Sequence, residues 1–310
     1  MEIEKPMHAA GRHRKRFEWI FLPDGISHKG RTPPGLMAVP PAACWMGRPM
    51  FFVVLMLMLL RPAVAQVEAK QGRDSGTVHV FVALCDNASQ GIAPVPAKIG
   101  NGNDAANNLY WGCSEGLKTC FRNSRAWKLI ASPEPPGKYI LERCVFEDKR
   151  HAVRLVADAY RGTEIKRAIR DFLEAAAGAQ HQVVAWTDGP RSMEIKAGGA
   201  ADLVVYIGHN GLIEFDLENL PKQRAAEPRE AIVLCCKSQD YFRKHLQHAG
   251  SRPLLLTTQL MYPGSFVLEA CLEGWIADEP TASLADRAAG AYARNQRISV
   301  GSARRIFTGG

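Results

Sequence analysis

Residues 202–211 read DLVVYIGHNG and residues 230–238 read EAIVLCCKS. Each holds a short run that is apolar at almost every position, and each run stops at a small, polar or reactive residue. A strand with one wet face alternates apolar and polar residues. A run without alternation belongs to a strand covered on both faces, as in parallel sheets. Similar runs occur at 78–85 (VHVFVALC), 151–157 (HAVRLVA) and 253–258 (PLLLTT), with a further strand expected at 138–146 (KYILERCVF).

Between these runs the apolar residues recur at helical spacing. A helix is expected from Asp104, with Leu109, Cys113, Leu117 and Cys120–Phe121 on one face. A second is expected from Thr163, carrying Ile165, Ile169, Phe172, Leu173 and Ala176 and ended by Gly178. Others are expected from Ser238 to near Gly250, near 265–276 and near 281–297, while 187–200 reads as a polar stretch. Alternation of this kind predicts an α/β fold with a mainly parallel sheet covered on both sides. Residues 66–310 suit one such domain, with no internal repeat and no clear linker.

The composition is 46% hydrophobic and 23% charged, which excludes a disordered tail, a collagen-like repeat and a polytopic membrane protein. The net charge of +8 is uneven: 1–65 carries nine basic and four acidic residues, which leaves +3 on 66–310. That balance does not predict a nucleic-acid partner, which needs a concentrated basic face. Residues 50–60, MFFVVLMLMLL, are too short to span a bilayer, which takes about 20 residues. They follow Arg48 and lead into Ala63-Val64-Ala65, a small-x-small site. The reading is a secretory signal with cleavage after Ala65, and hence a periplasmic or secreted chain without a membrane span. Such a signal normally starts near Met37 or Met46, so 1–45 is either a start placed too early or a long n-region.

Export favours disulfides. Residues 66–310 hold Cys85, Cys113, Cys120, Cys144, Cys235, Cys236 and Cys271, an odd number that leaves at least one thiol over in a monomer. The sequence has no C-x-x-C and no H-E-x-x-H, so no metal is expected. Gly100-Asn101-Gly102 lacks the Lys-Ser/Thr of a phosphate loop, and no cofactor is expected.

In an open parallel sheet, ligands bind beyond the carboxyl ends of the strands. Gly208-His209-Asn210-Gly211 follows one run and Cys236-Lys237-Ser238 the next. Neighbouring strands lie about 4.8 Å apart, so His209 can reach Cys236 if these strands pair. Cys236 precedes a helix start and adjoins Lys237, both of which favour thiolate. His209 is the candidate base and acid, and the N–H groups of Gly208, Asn210 and Gly211 are candidate oxyanion donors. No acidic third member of a triad is evident. Asp86 and Asp158, each placed just past a run, are a candidate pocket for a basic substrate side chain, with turn capping as the alternative. Asn87, Lys237 and Ser238 at the same edge are further candidate substrate contacts. The segment NGNDAANNLYW (101–111) either lines a groove or packs its Leu109, Tyr110 and Trp111 into the core. Cys85, Cys113, Cys120, Cys144 and Cys271 are expected to be core residues or disulfide partners.

The segments LVVYIGHNG (203–211) and AIVLCCKS (231–238) resemble the caspase, gingipain, legumain and separase group of cysteine peptidases, clan CD. In that group, too, one apolar strand ends in His beside a glycine and another ends in Cys. The resemblance implies a three-layer α/β/α sandwich, a His209–Cys236 dyad and a peptide or protein substrate. This sequence departs from the group in placing Asn210 between His209 and Gly211. The stretches at 83–112, 206–213 (YIGHNGLI) and 234–242 (LCCKSQDYF) also resemble an uncharacterised family of exported bacterial proteins. That second resemblance implies that the Cys-Lys-Ser is the recurring element and so favours Cys236 over Cys235. The non-catalytic alternative is a binding or interaction protein of the same fold.

Overall fold

The computed structural model describes residues 72–310; the expected signal segment and its cleavage after Ala65 lie outside the described residues. Among the described residues the chain is a mixed α/β fold built on an eight-stranded, mostly parallel sheet. In chain order the strands are β1 (Ser75–Ala83), β2 (Trp127–Ala131), β3 (Ile140–Asp148), β4 (Ala152–Tyr160), β5 (His181–Asp188), β6 (Arg191–Gly198), β7 (Leu203–Ile207), β8 (Glu230–Leu234), β9 (Arg252–Thr257) and β10 (Phe307–Thr308). The helices are α1 (Leu117–Arg122), α2 (Ile165–Ala176), α3 (Ser238–His248), α4 (Phe266–Ile276), α5 (Thr281–Gln296) and α6 (Val300–Arg304).

The sheet order is β10-β9-β8-β7-β1-β4-β3-β2. The run from β9 through β8, β7 and β1 to β4 is parallel throughout. The outer strands β3, β2 and β10 are antiparallel to their neighbours. The chain leaves β1 for β4 on one side, then returns to build β7, β8 and β9 on the other. The switch in direction falls between β1 and β7, where a crevice opens at the carboxyl edge of such sheets.

The unbroken apolar runs are explained by two separate cores. Val78, Val80 and Val82 of β1 join Val205 and Ile207 of β7, Ile232 and Leu234 of β8, and Leu272 and Trp275 of α4. Phe81 and Ala83, of opposite parity, join Ile169 and Phe172 of α2 and Phe242 and Leu246 of α3. Alternate residues of a strand point to opposite faces, so both parities must be apolar. Each large side chain buried fully in this way contributes about 1.5–3 kcal/mol. Helix α2 ends as its sequence predicts: Gly178 takes φ +74°, and the Ala179 N–H donates to the Glu174 carbonyl at 2.8 Å. A left-handed glycine commonly closes a helix in this way. Thr163 does not cap this helix; it lies in a 3₁₀ turn, Gly162–Glu164.

Two expectations are corrected. The stretch 187–200 is not a polar connection, for most of it belongs to the β5–β6 hairpin, paired from His181↔Gly198 to Asp188↔Arg191. Only Val184 of β5 and Ile195, Ala197 and Gly198 of β6 are buried, so the alternation that marks a half-buried strand is faint. The Asp188-Gly189 pair, with Gly189 at φ +58°, is the turn signal that was available. The helix expected from Asp104 is instead a series of turns, and helix forms only over Leu117–Arg122. The cause is Asn108. Beyond the end of β1, the Cys85 N–H donates to Asn108 Oδ1 (3.0 Å) and Asn108 Nδ2 donates to the Cys85 carbonyl (2.8 Å). The chain packs so closely here that a Cβ on Gly112 would lie 2.0 Å from the Ala106 oxygen.

Candidate active site

Strands β7 and β8 pair in parallel with Ile207 opposite Leu234. His209 and Cys236 each lie two residues beyond that pair, so both sit at the carboxyl edge on adjacent strands. The two loops are stitched together: Asn210, fully buried, donates from Nδ2 to the Cys236 carbonyl at 2.7 Å. The approach to His209 is equally confined. The Tyr206 hydroxyl donates to the His209 carbonyl at 2.8 Å, and a Cβ on Gly208 would lie 3.0 Å from both that hydroxyl and the Ala83 carbonyl.

The imidazole of His209 keeps 11% of its side-chain surface exposed, and its Nε2 lies 2.6 Å from Glu214 Oε1. The same carboxylate oxygen accepts the Gly91 N–H at 2.6 Å. An acidic partner for the imidazole therefore exists, contrary to the sequence reading. The available signal was a carboxylate close behind the His on the same loop. The turn Gly211–Ile213 folds that loop back, and the Glu214 N–H donates to the Gly211 carbonyl at 2.9 Å.

All seven cysteines of the described residues are free thiols, so none of the expected disulfides forms. Cys236 is half-buried, with Sγ 3.4 Å from the Met261 N–H nitrogen and 3.5 Å from its carbonyl. Burial pushes the Cys236 thiol above its ordinary range, against the smaller opposing pull of the Met261 backbone and the Lys237 charge. Desolvation thus works against the thiolate that Lys237 favours. Among the described residues no hydrogen bond joins His209 to Cys236. Cys235 is fully buried in the apolar core, and burial pushes its thiol well up. Lys237 is exposed, in the left-handed conformation at φ 50°.

The remaining predicted residues have structural duties. Asp86 caps its own turn, accepting the Ala88 N–H (2.9 Å) and the Ser89 hydroxyl (2.9 Å). Asn87 staples the following loop through Val95, donating to its carbonyl (2.7 Å) and accepting its N–H (3.0 Å). Ser238 is buried, and its hydroxyl donates to the Val233 carbonyl at 3.0 Å while accepting the Thr257 N–H at 2.8 Å. Asp158 does not lie past a strand, because β4 continues to Tyr160. It is fully buried, gripped by Arg143 through two contacts of 2.6 Å and by His79 Nε2 at 3.1 Å. Burial alone would raise its pKa, but the bonds from Arg143 and His79 win and hold it below the usual carboxylate range. Asp86 and Asp158 therefore form no pocket for a basic side chain. Of the three loop N–H groups, Gly208 donates to the Leu234 carbonyl (3.4 Å) and Gly211 to the His209 carbonyl (3.1 Å), and all three residues are buried. Within 101–111, Tyr110 and Trp111 are buried and Leu109 packs against the same core.

Among the described residues no group of three or more His, Cys, Asp or Glu side chains is placed to hold a metal ion. His245 and His248, one turn apart on α3, thus gain no third ligand. No helix among them is long and apolar enough to cross a membrane. Comparison with known proteins matches no family model, no curated protein and no solved structure.

Proposed function

We propose that this chain is an exported cysteine hydrolase of caspase-like, three-layer α/β/α architecture that cleaves peptide bonds through Cys236 and His209. The observation that carries the reading is the β7–β8 register, which sets the imidazole and the thiol at equal steps past one strand pair. The two apolar cores, one for each parity of β1, support the layering. The apolar run 50–60 ahead of Ala63-Val64-Ala65 supports export.

In this reading the Cys236 thiol passes its proton to His209 as the sulfur attacks the scissile carbonyl carbon. The C–N bond breaks as the imidazolium returns the proton to the leaving amine, and water then cleaves the thioester, with His209 again taking and giving a proton. A thiol held protonated by burial suits this order of events, since the base acts at the moment of attack.

A second reading, a non-catalytic binding or interaction protein of the same fold, is favoured by the Met261 backbone contacts that already occupy the sulfur. Treatment of the folded chain with a mixture of peptidyl acyloxymethyl ketones separates the two. The hydrolase reading expects a single adduct on Cys236, none in Cys236→Ala, and labelling slowed about 10²-fold or more in His209→Ala. No adduct on the folded wild type leaves the second reading.

A further inference from the structure

The contact between His209 and Glu214 also determines which nitrogen does the work. A carboxylate accepts hydrogen bonds and donates none, so the nitrogen facing it, Nε2, carries the proton. A neutral imidazole has a single N–H, and its lone pair then lies on Nδ1. Resting on the dyad reading, we propose that Glu214 is a positioning residue for His209: it fixes the Nε2–H form and makes Nδ1 the atom that takes the Cys236 proton.

The surroundings of Glu214 fit that role. Its Oε1 is shared by His209 Nε2 and the Gly91 N–H, each at 2.6 Å. The carboxylate is therefore anchored from the loop that follows β1 as well as from its own loop. Its backbone is fixed too, since the Glu214 and Phe215 N–H groups both donate to the Gly211 carbonyl, at 2.9 and 3.1 Å. When the proton moves from Sγ to Nδ1, the sulfur becomes thiolate and the ring imidazolium. The negative carboxylate then faces the new positive charge through a bond already in place. Such a charge-assisted bond is about twice as strong as a neutral one. It strengthens as the proton transfers, which is when a buried thiol most needs help.

The test uses iodoacetamide on the full chain from pH 5 to 9, with alkylation at each cysteine resolved by mass spectrometry. No substrate is needed. Cys235, sealed in the core, stays unlabelled in a folded sample and so reports folding in the same experiment. Glu214→Gln keeps an oxygen acceptor for His209 and Gly91 but removes the charge. The expected result is a Cys236 alkylation midpoint about one pH unit higher than in wild type, and about 10-fold slower labelling at pH 6. Glu214→Asp, which keeps the charge on a shorter stem, is expected to fall between the two. His209→Ala is expected to label more slowly than either. If Glu214→Gln follows the wild-type profile while His209→Ala is slowed, the positioning role is wrong and the dyad stands. If His209→Ala also follows wild type, the dyad itself fails, and the role of Glu214 with it.

Discussion

Two of the histidine–carboxylate pairs among the described residues are built to opposite ends. In the middle of the sheet, His79 Nε2 meets Asp158 at 3.1 Å with both side chains fully buried. The other ring nitrogen, Nδ1, accepts the Gly198 N–H at 2.9 Å. Since Nδ1 is an acceptor, the ring is neutral and donates from Nε2; both nitrogens are occupied and no proton is free to move. Arg143 completes the network and reaches across to Gln182 of the hairpin at 3.0 Å. The pair therefore docks the β5–β6 hairpin onto the sheet. At the carboxyl edge, His209 and Glu214 meet at 2.6 Å with the imidazole partly open to solvent. Here the carboxylate takes one nitrogen and the other keeps its lone pair. A histidine beside a carboxylate becomes a proton carrier only where its second nitrogen is left available.

The sharpest way to break this comparison is to treat the two sites alike. Asp158→Ala strands Arg143 as a buried, uncompensated charge, and such a loss costs about 3–5 kcal/mol. Urea denaturation is expected to show that cost, while Cys236 labelling per folded molecule stays as in wild type. A change in labelling as large as the change in stability would erase the distinction between the sites.

Acid titration sharpens it from another side. The lowered pKa of Asp158 means its contribution is fully present above the unfolded value of about 4. That contribution is lost as pH falls through the folded value. Asp171 on α2 behaves in the opposite sense. It accepts the Tyr160 hydroxyl at 3.0 Å but has no guanidinium fork, and burial raises it to about 6. Its stabilising contribution is present below about pH 4 and disappears as pH rises through about 6. In denaturation curves between pH 4 and 7, Asp171→Asn is expected to remove that decline; an unchanged slope would contradict the assignment.

The smallest effect is expected at the other histidine. His209→Ala removes a partly exposed contact on a loop, and it should shift the urea midpoint by less than about 1 kcal/mol in equivalent stability. A cost comparable to that of Asp158→Ala would make His209 a structural residue after all.

How much of this could be read from the chain depended on where burial is uniform. Strands β1, β7, β8 and β9 and helices α2, α3, α4 and α5 announce themselves, because both parities of a strand or one face of a helix must be apolar. The same runs gave the edge positions of His209 and Cys236, since a strand's end is legible when the run stops. Asp158 was misplaced for the complementary reason. A charged residue looks like the end of a strand until its buried cationic partner is known, and Arg143 comes from a separate strand. The hairpin hid because each of its strands buries so little. The 104–116 segment looked helical because the spacing of Leu109, Cys113 and Leu117 imitates a helix, while Asn108 spends its side chain on the backbone of Cys85. Glu214 was within reach, but spacing alone does not reveal a turn that bends a loop back on itself.

Strand β10 is only two residues long, yet it borders the apolar strand β9, pairing Phe307 with Thr257 and Thr308 with Leu256. The Thr258 N–H donates to the Ile306 carbonyl at 2.8 Å just beyond them. Uncovered sheet margins recruit strands from other molecules and seed filaments. A scrap of antiparallel backbone at this flank engages Leu256 and Thr257, and so shortens the margin on which a foreign chain could dock.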